Sequence, residues 1–226
     1  MSFILSIETA TTVCSVAITS GQNIVCEKKL FSDKSHANKL TLLIQELLKK
    51  AELKMVQMSA IAVSMGPGSY TGLRIGLSTA KGICFALNKP LIGISTLKAM
   101  AKEASINHKD TLLCPMIDAR RMEVYTALYN QSLTQLQEPR PLILNQDSFA
   151  ETLSSQKVLF FGNGADKFQD IMNSKNASFL KDFSPSAWAV GLLAGHKLEN
   201  TEFENLAYTE PGYLKEFQAT TPKPLL

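Results

Sequence analysis

Residues 59–94 read SAIAVSMGPGSYTGLRIGLSTAKGICFALNKPLIGI, and this stretch decides the fold. It opens on Ile61 to Val63, an apolar, partly β-branched run of the kind that makes a buried strand. Gly66-Pro67-Gly68 then punctuates the chain, and Thr71 to Ala86 stays apolar or small over a helical length. Asn88-Lys89-Pro90 stops that segment, because proline cannot continue a helix and pushes its predecessor toward extended geometry. Leu91 to Ile94 reads as the next buried strand. Strand, glycine loop, helix and strand in that order form a crossover unit of a mostly parallel sheet, so the chain is of the α/β class.

A loop that leaves a strand and enters a helix N-terminus suits an anion, since unpaired amides point outward there. The spacing excludes the two commonest uses. Gly66, Gly68 and Gly72 form G-x-G-x-x-x-G, one residue too long for a dinucleotide fingerprint, and Lys81 lies too far down the helix to complete a P-loop. Two readings stay open: phosphate contact, with Arg74 as a nearby cation, or a tight turn at Gly66 and Gly68 with close backbone approach at Gly72 and Gly76.

The flanking elements follow from the same patterning. Phe3 to Ile7, Val13 to Ile18 and Ile24 to Leu30 are strands joined by short turns, which favours an antiparallel meander. Ser35 to Ala51 is a helix capped by Ser35, with Leu40, Leu43, Ile44, Leu47 and Leu48 as its apolar stripe. A lone His36 at its start has no second histidine one turn on. Leu97 to Ile106 is a third helix, and His108-Lys109-Asp110 makes a polar connection. Leu112 to Ile117 and Glu123 to Tyr129 are strands around Asp118-Ala119-Arg120-Arg121. Pro139-Arg140-Pro141 reads as a rigid break, Asn145 to Leu153 as a short helix, and Val158 to Phe161 as a strand. A second glycine turn, Gly162 to Ala165, leads toward a helix. Ser184-Pro185 opens the last long helix, and the segment from Thr220 reads as a frayed end. Both halves run from strands to helices, with a boundary near residues 101–110.

Composition narrows the class. Of 226 residues, 45% are hydrophobic and 19% charged, which fits a globular domain rather than a disordered chain. A net charge of +3, without blocks of lysine or arginine, makes no case by itself for nucleic-acid binding. The first apolar run is interrupted by Glu8, so neither a targeting segment nor a membrane span is expected. Cys14, Cys26, Cys84 and Cys114 are widely spaced inside apolar patterns and read as buried thiols of a reducing cytosol.

MGPGSYTGLRIGLSTAKGI, with the opening FILSIETATTVCSVAI, resembles the TsaB (YeaZ) family of bacterial tRNA threonylcarbamoyladenosine biosynthesis proteins. The likeness spans essentially the whole chain and is strongest from Phe3 to Met100. It implies two ribonuclease-H-like subdomains of the actin/Hsp70/sugar-kinase fold, residues 1–105 and 106–226. It also implies a cytoplasmic, non-catalytic subunit. That subunit supports TsaD, a paralogue that transfers threonylcarbamoyl to N6 of adenosine 37 in tRNAs reading ANN codons. The resemblance further implies that the P-loop ATPase TsaE joins the same assembly and that the chain forms a homodimer when alone, with tRNA as a further candidate contact. The alternative is a small-molecule kinase or ATPase of the same fold, which needs a general base and a complete phosphate-binding set. A peptidase reading lacks a nucleophile–base pair.

The resemblance also assigns positions. Glu8-Thr9-Ala10-Thr11-Thr12 stands where nucleotide-binding relatives place their first phosphate loop, with a plain hydrogen-bonded turn as the alternative, and Gly162, Gly164 and Ala165 stand where they hold adenosine. Thr9, Thr11, Gly162, Gly164 and Ala165 are therefore the candidates for weak ATP or ADP binding with Mg²⁺, with no cofactor required. Glu8 replaces the aspartate common at its position. Thr96 and Met100 stand where TsaD carries an H-x-x-x-H metal pair, and neither replaces an imidazole, so no metal site is expected. Asp118 and Arg120 either face a cleft or pair across their turn, and Arg120-Arg121 is the candidate tRNA contact. Finally, the helix from Thr71 to Ala86 carries few charges, and Gly72, Gly76 and Ala80 recur every fourth residue. Gly72, Leu73, Gly76, Leu77, Ala80 and Ile83 are thus the expected subunit interface, against the rival of burial between the sheet and the Leu40 to Leu48 helix.

Overall fold

The computed structural model describes residues 2–31 and 36–215. The expected cap Ser35, the His36 side chain and the segment from Thr220 lie outside what it describes. Three strands, β1 (Phe3–Glu8), β2 (Val13–Ser20) and β3 (Asn23–Phe31), form the antiparallel meander that their short turns dictate. Helix α1 (His36–Lys50) follows, then β4 (Met58–Ser64), helix α2 (Tyr70–Leu87) and β5 (Leu91–Ile94). β4 pairs in parallel with both β1 and β5, so residues 58–94 are the crossover read from the sequence. Ser69 caps α2 by accepting the Gly72 amide at 3.2 Å. Asn88 ends the helix in the left-handed conformation that asparagine tolerates.

The second half repeats this plan. After α3 (Thr96–Ala104) come β6 (Leu112–Asp118), β7 (Glu123–Tyr129) and β8 (Gln135–Ile143), then α4 (Ala150–Ser155), β9 (Val158–Phe161), the single turn α5 (Asp166–Gln169), β10 (Ala177–Leu180) and α6 (Ala187–Glu199). The sheet orders are β3-β2-β1-β4-β5 and β10-β9-β6-β7-β8, the same topology used twice. The last helix of each half crosses to the other. α3 packs on β6 and β7, while α6 lies across β1 and β2 and touches α3. Ala189, Val190 and Ala194 of α6 bury against Ile4, Ala60 and Ile92 of the first sheet. Gly191 sits over Ser6 and Thr19, where an added Cβ would meet both hydroxyls at 2.6 Å.

Several boundaries differ from the sequence reading, each for a local reason. Pro139 and Pro141 do not break the chain but lie within β8, paired with β7 at the edge of its sheet. Two residues apart, both rings turn toward the same lateral side, and an edge strand leaves that side free of ladder bonds. Asn145 starts a turn rather than a helix: its side-chain Oδ1 accepts the Asp147 amide and the Ser148 hydroxyl, and α4 begins only at Ala150. α3 starts one residue early, capped by Ser95, and ends at Ala104. α6 begins at Ala187, not at Ser184-Pro185. Its first amide is satisfied by the Ser15 hydroxyl of β2 at 3.0 Å, while Ser186 donates to Glu103 at 2.6 Å. β10, only half-buried, had no period-two signal to reveal it. The four cysteines are buried free thiols, and burial pushes Cys114 up to about 12.

Candidate functional site

The turn between β1 and β2 and the glycine loop before α2 meet, and the loop covers the turn. Ser69 donates its amide to the Ala10 carbonyl at 2.6 Å. A Cβ on Gly68 would fall 2.4 Å from that carbonyl, one on Gly72 2.1 Å from the Thr9 carbonyl, and one on Gly76 2.3 Å from Thr9 Oγ1. Thr9 is fully buried, and its hydroxyl donates to the Gly72 carbonyl at 2.8 Å. Of the two readings left open by the glycine spacing, close backbone approach is the one realised. The Thr9 hydroxyl is spent on the chain's own helix.

Glu8 closes the floor of this turn. One carboxylate oxygen accepts the Ala10 amide at 2.6 Å, the Ser64 hydroxyl lies close by, and the side chain is inaccessible to solvent. Burial, opposed by the Ala10 bond, pushes its pKa up to about 7. Buried at this depth, the carboxyl presents no oxygen to a cation outside the turn. Thr96 and Met100 are buried as well; Thr96 Oγ1 accepts the Gly66 amide at 3.1 Å, and the Met100 methyl packs on Gly162.

The second glycine turn packs in the same manner. Gly162 adopts φ +101°, and a Cβ there would meet the Met116 carbonyl at 2.4 Å; Gly164 presses on Asp118 and Val124. Ala165 is buried. Asn163 donates nothing to this packing but accepts the Asp118 amide at 3.0 Å and reaches a cavity of about 370 Å³. Thr11, Thr12, Phe183 and Ser184 line the same cavity. Thr11 and the second glycine turn are thus brought together, and Thr9 is not.

Asp118 pairs with Lys167, not with the Arg120 side chain; from Arg120 it accepts the backbone amide, at 3.2 Å. Lys167 also donates to the Arg121 and Glu123 carbonyls at 2.7 and 2.6 Å, so one ammonium organises the whole turn. Its distance in sequence hid it. Arg74 is likewise occupied. Its Nε donates to the Tyr213 hydroxyl at 2.9 Å, its guanidinium lies 4.1 Å above the Tyr70 ring, and the two tyrosine rings stand 4.9 Å apart. The segment carrying Tyr213 is tied to the glycine loop by the Gly212 amide bonding Met65 at 2.7 Å. It reaches the second sheet through Lys215 and Glu123 at 2.5 Å.

The face of α2 expected to meet another subunit is turned inward. Gly72, Leu73, Gly76, Leu77 and Ala80 are buried within this chain, and the partner of the small-residue stripe is the end of β1. The rival, internal burial, holds for that face; Ile83 alone of the six stays half-exposed. The outer face carries Thr71, Arg74, Ser78, Gly82 and Phe85, the last 83% exposed. A Cβ on Gly82 would meet nothing within 4 Å.

Comparison with known proteins completes the site. The family model for TsaD, tRNA N6-adenosine threonylcarbamoyltransferase, matches residues 30–223. The tRNA threonylcarbamoyladenosine biosynthesis protein TsaB of Buchnera aphidicola subsp. Baizongia pistaciae is 31% identical over 219 residues, 94% of this chain and 98% of its own. That of Bacillus subtilis is 33% identical over 179 residues, covering 76% and 77% respectively. A Pseudomonas aeruginosa protein described as similar to peptidase YeaZ superposes with a TM-score of 0.85 at 25% identity, and YeaZ from the same organism with 0.78 at 26%. Both superpositions cover 95% of this chain and all of the other. The ADPNP-bound activator of 2-hydroxyisocaproyl-CoA dehydratase from Clostridium difficile shares the fold at TM-score 0.52 and 11% identity, over 90% of this chain and 98% of its own.

Proposed function

The chain belongs to the TsaB family of tRNA threonylcarbamoyladenosine biosynthesis proteins, and from that premise we propose that it serves the pathway as a subunit with no chemistry of its own. Its partner in this reading is TsaD, which carries out threonylcarbamoyl transfer to N6 of adenosine 37 in tRNAs reading ANN codons, with TsaE in the same cytoplasmic assembly. The observation that carries the reading is the sealed stretch from Glu8 to Ala10. Thr9 is bonded to Gly72, Gly68 fits tightly on Ala10, and Glu8 is buried with a raised pKa. A kinase or ATPase of this fold needs those groups open toward a phosphate. Thr96 and Met100, engaged in internal packing, support the same reading against a metal-dependent transferase.

Nucleotide, if bound, takes the cavity between Thr11 and Asn163 and leaves Thr9 untouched. Its volume of about 370 Å³ lies at the lower end of small-molecule sites, which fits weak ATP or ADP binding. The surface offered to TsaD, and to a second copy when TsaD is absent, is the outer face of α2 around Ser78, Gly82 and Phe85. An exposed phenylalanine beside glycine and serine lets a partner approach closely and bury an aromatic anchor. Among the described residues no helix is long and apolar enough to cross a membrane. The direct test is the purified chain with tRNA and a threonylcarbamoyl donor. No modified adenosine is expected, with or without added divalent metal; turnover that a chelator abolishes would overturn the reading.

A further inference from the structure

Away from the sealed turn, the starts of three neighbouring strands enclose a recess of about 450 Å³. β6, β9 and β10 run parallel and adjacent, with Leu112 opposite Val158 and Val158 opposite Ala177. The residues just before them are Lys109 with His108, then Lys157, then Lys175, and all of these line the recess. Strands about 4.8 Å apart place the three lysine-bearing turns side by side across roughly 10 Å. Sequence separation hid this convergence, since the lysines are isolated single residues.

The backbone beneath them is fixed. Thr111 donates its hydroxyl to the Lys157 carbonyl at 3.0 Å, the Leu112 amide bonds the same carbonyl at 2.8 Å, and Val158 bonds the Asn176 carbonyl at 2.9 Å. The lysine side chains themselves are exposed, and none has a carboxylate within ion-pair distance among the described residues. Asp110 also lines the recess and leaves it net positive. Such a hydrogen-bonded floor with several exposed ammonium groups is suited to a chain of phosphates. Lysine meets a phosphate as a point charge, without the planar fork that would select one base or one carboxylate.

We propose that this recess holds the sugar-phosphate backbone of an RNA, the three ammonium groups each meeting a phosphate. The inference rests on the reading of the chain as a tRNA-modification subunit, and it displaces Arg120-Arg121 as the RNA contact. Those arginines follow the far end of β6, roughly 20 Å away along the strand.

The test is fluorescence anisotropy of an unmodified tRNA transcript against the full chain with TsaD, across a salt series. The variant is Lys109→Gln, Lys157→Gln and Lys175→Gln combined, with the corresponding triple arginine variant as rescue. Each lost phosphate contact lowers the slope of log K against log salt by about 0.7, which at about 0.15 M salt is about fourfold in affinity per lysine. The glutamine triple is expected to bind about fiftyfold more weakly, and the arginine triple to recover most of that loss. Changing Arg120 and Arg121 to glutamine is expected to leave the slope alone. An unchanged slope in the glutamine triple overturns the proposal. So does saturable binding of inorganic pyrophosphate at the recess without any loss of tRNA affinity. Omitting the whole chain from a modification assay tests the functional reading separately, because the recess is judged on the salt slope.

Discussion

Two glycines on one helix should respond to alanine with opposite signs. At Gly76 the new Cβ would lie 2.3 Å from Thr9 Oγ1, where ordinary contact begins at 3.4 Å. Thr9 has no space to yield, being fully buried and bonded to the Gly72 carbonyl. Rotating it strands a buried hydroxyl, at about 1–3 kcal/mol, while holding it forces the helix outward at a similar cost. Alanine's better helix propensity returns about 1 kcal/mol. The net expectation for Gly76→Ala is a loss of up to about 2 kcal/mol. Gly82→Ala meets nothing within 4 Å and keeps the propensity gain, about 1 kcal/mol of added stability. For a chain of this length the two variants should differ in Tm by roughly 2–12 °C. Thermal unfolding followed by circular dichroism at several protein concentrations measures this and removes any effect of association. A cycle with Thr9→Ala sharpens it, since without Oγ1 the nearest neighbour is 3.5 Å away and Gly76→Ala should become stabilising. If Gly76→Ala stabilises as much as Gly82→Ala in the wild-type background, the glycine stripe does not face Thr9 and the packing argument fails.

Other variants probe the remaining elements. Glu8 has a folded pKa near 7 against 4.5 in the unfolded chain, so the native state holds the extra proton between those values and stability falls as pH rises through them. Glu8→Gln keeps the acceptor for Ala10 and should remove about 3 kcal/mol of that pH dependence in urea titrations from pH 4.5 to 7.5. Burial also raises Glu27 and Glu103, so a shallower slope remains; an unaltered slope would contradict the burial of Glu8 as a titrating acid. Gly162→Ala combines a positive φ with a Cβ 2.4 Å from the Met116 carbonyl and should cost about 3 kcal/mol or more in denaturant unfolding. Ser78→Arg with Phe85→Asp, both on the exposed face of α2, should leave Tm unchanged yet reduce TsaD capture at least tenfold in a pull-down. Unchanged capture would move the interface elsewhere.

The crossover from Met58 to Ile94 was legible because each of its boundaries has a chemical cause: glycine and proline before the helix, asparagine and proline after it. The strands of the meander were legible for the same reason. The orientation of α2 was not. A four-residue spacing of Gly72, Gly76 and Ala80 says that something comes close, and the partner turned out to be Thr9, sixty-odd residues earlier in the chain. Nor does a sequence show that α6 will lie on the first sheet, since its apolar residues are compatible with either. Pro139 and Pro141 read as a break because edge position is a property of the sheet, not of the segment. Lys167 at the Asp118 turn, and the three lysines of the recess, are juxtapositions made only by the fold.

The central claim is that this chain enables a modification it does not perform. The measurement that addresses it most directly is threonylcarbamoyladenosine formation on unmodified tRNA by TsaD and TsaE, with this chain titrated from zero to excess. Product should be near background without the chain and should rise until the chain matches TsaD. The chain alone should give none. Equal product at every concentration, zero included, would contradict the account.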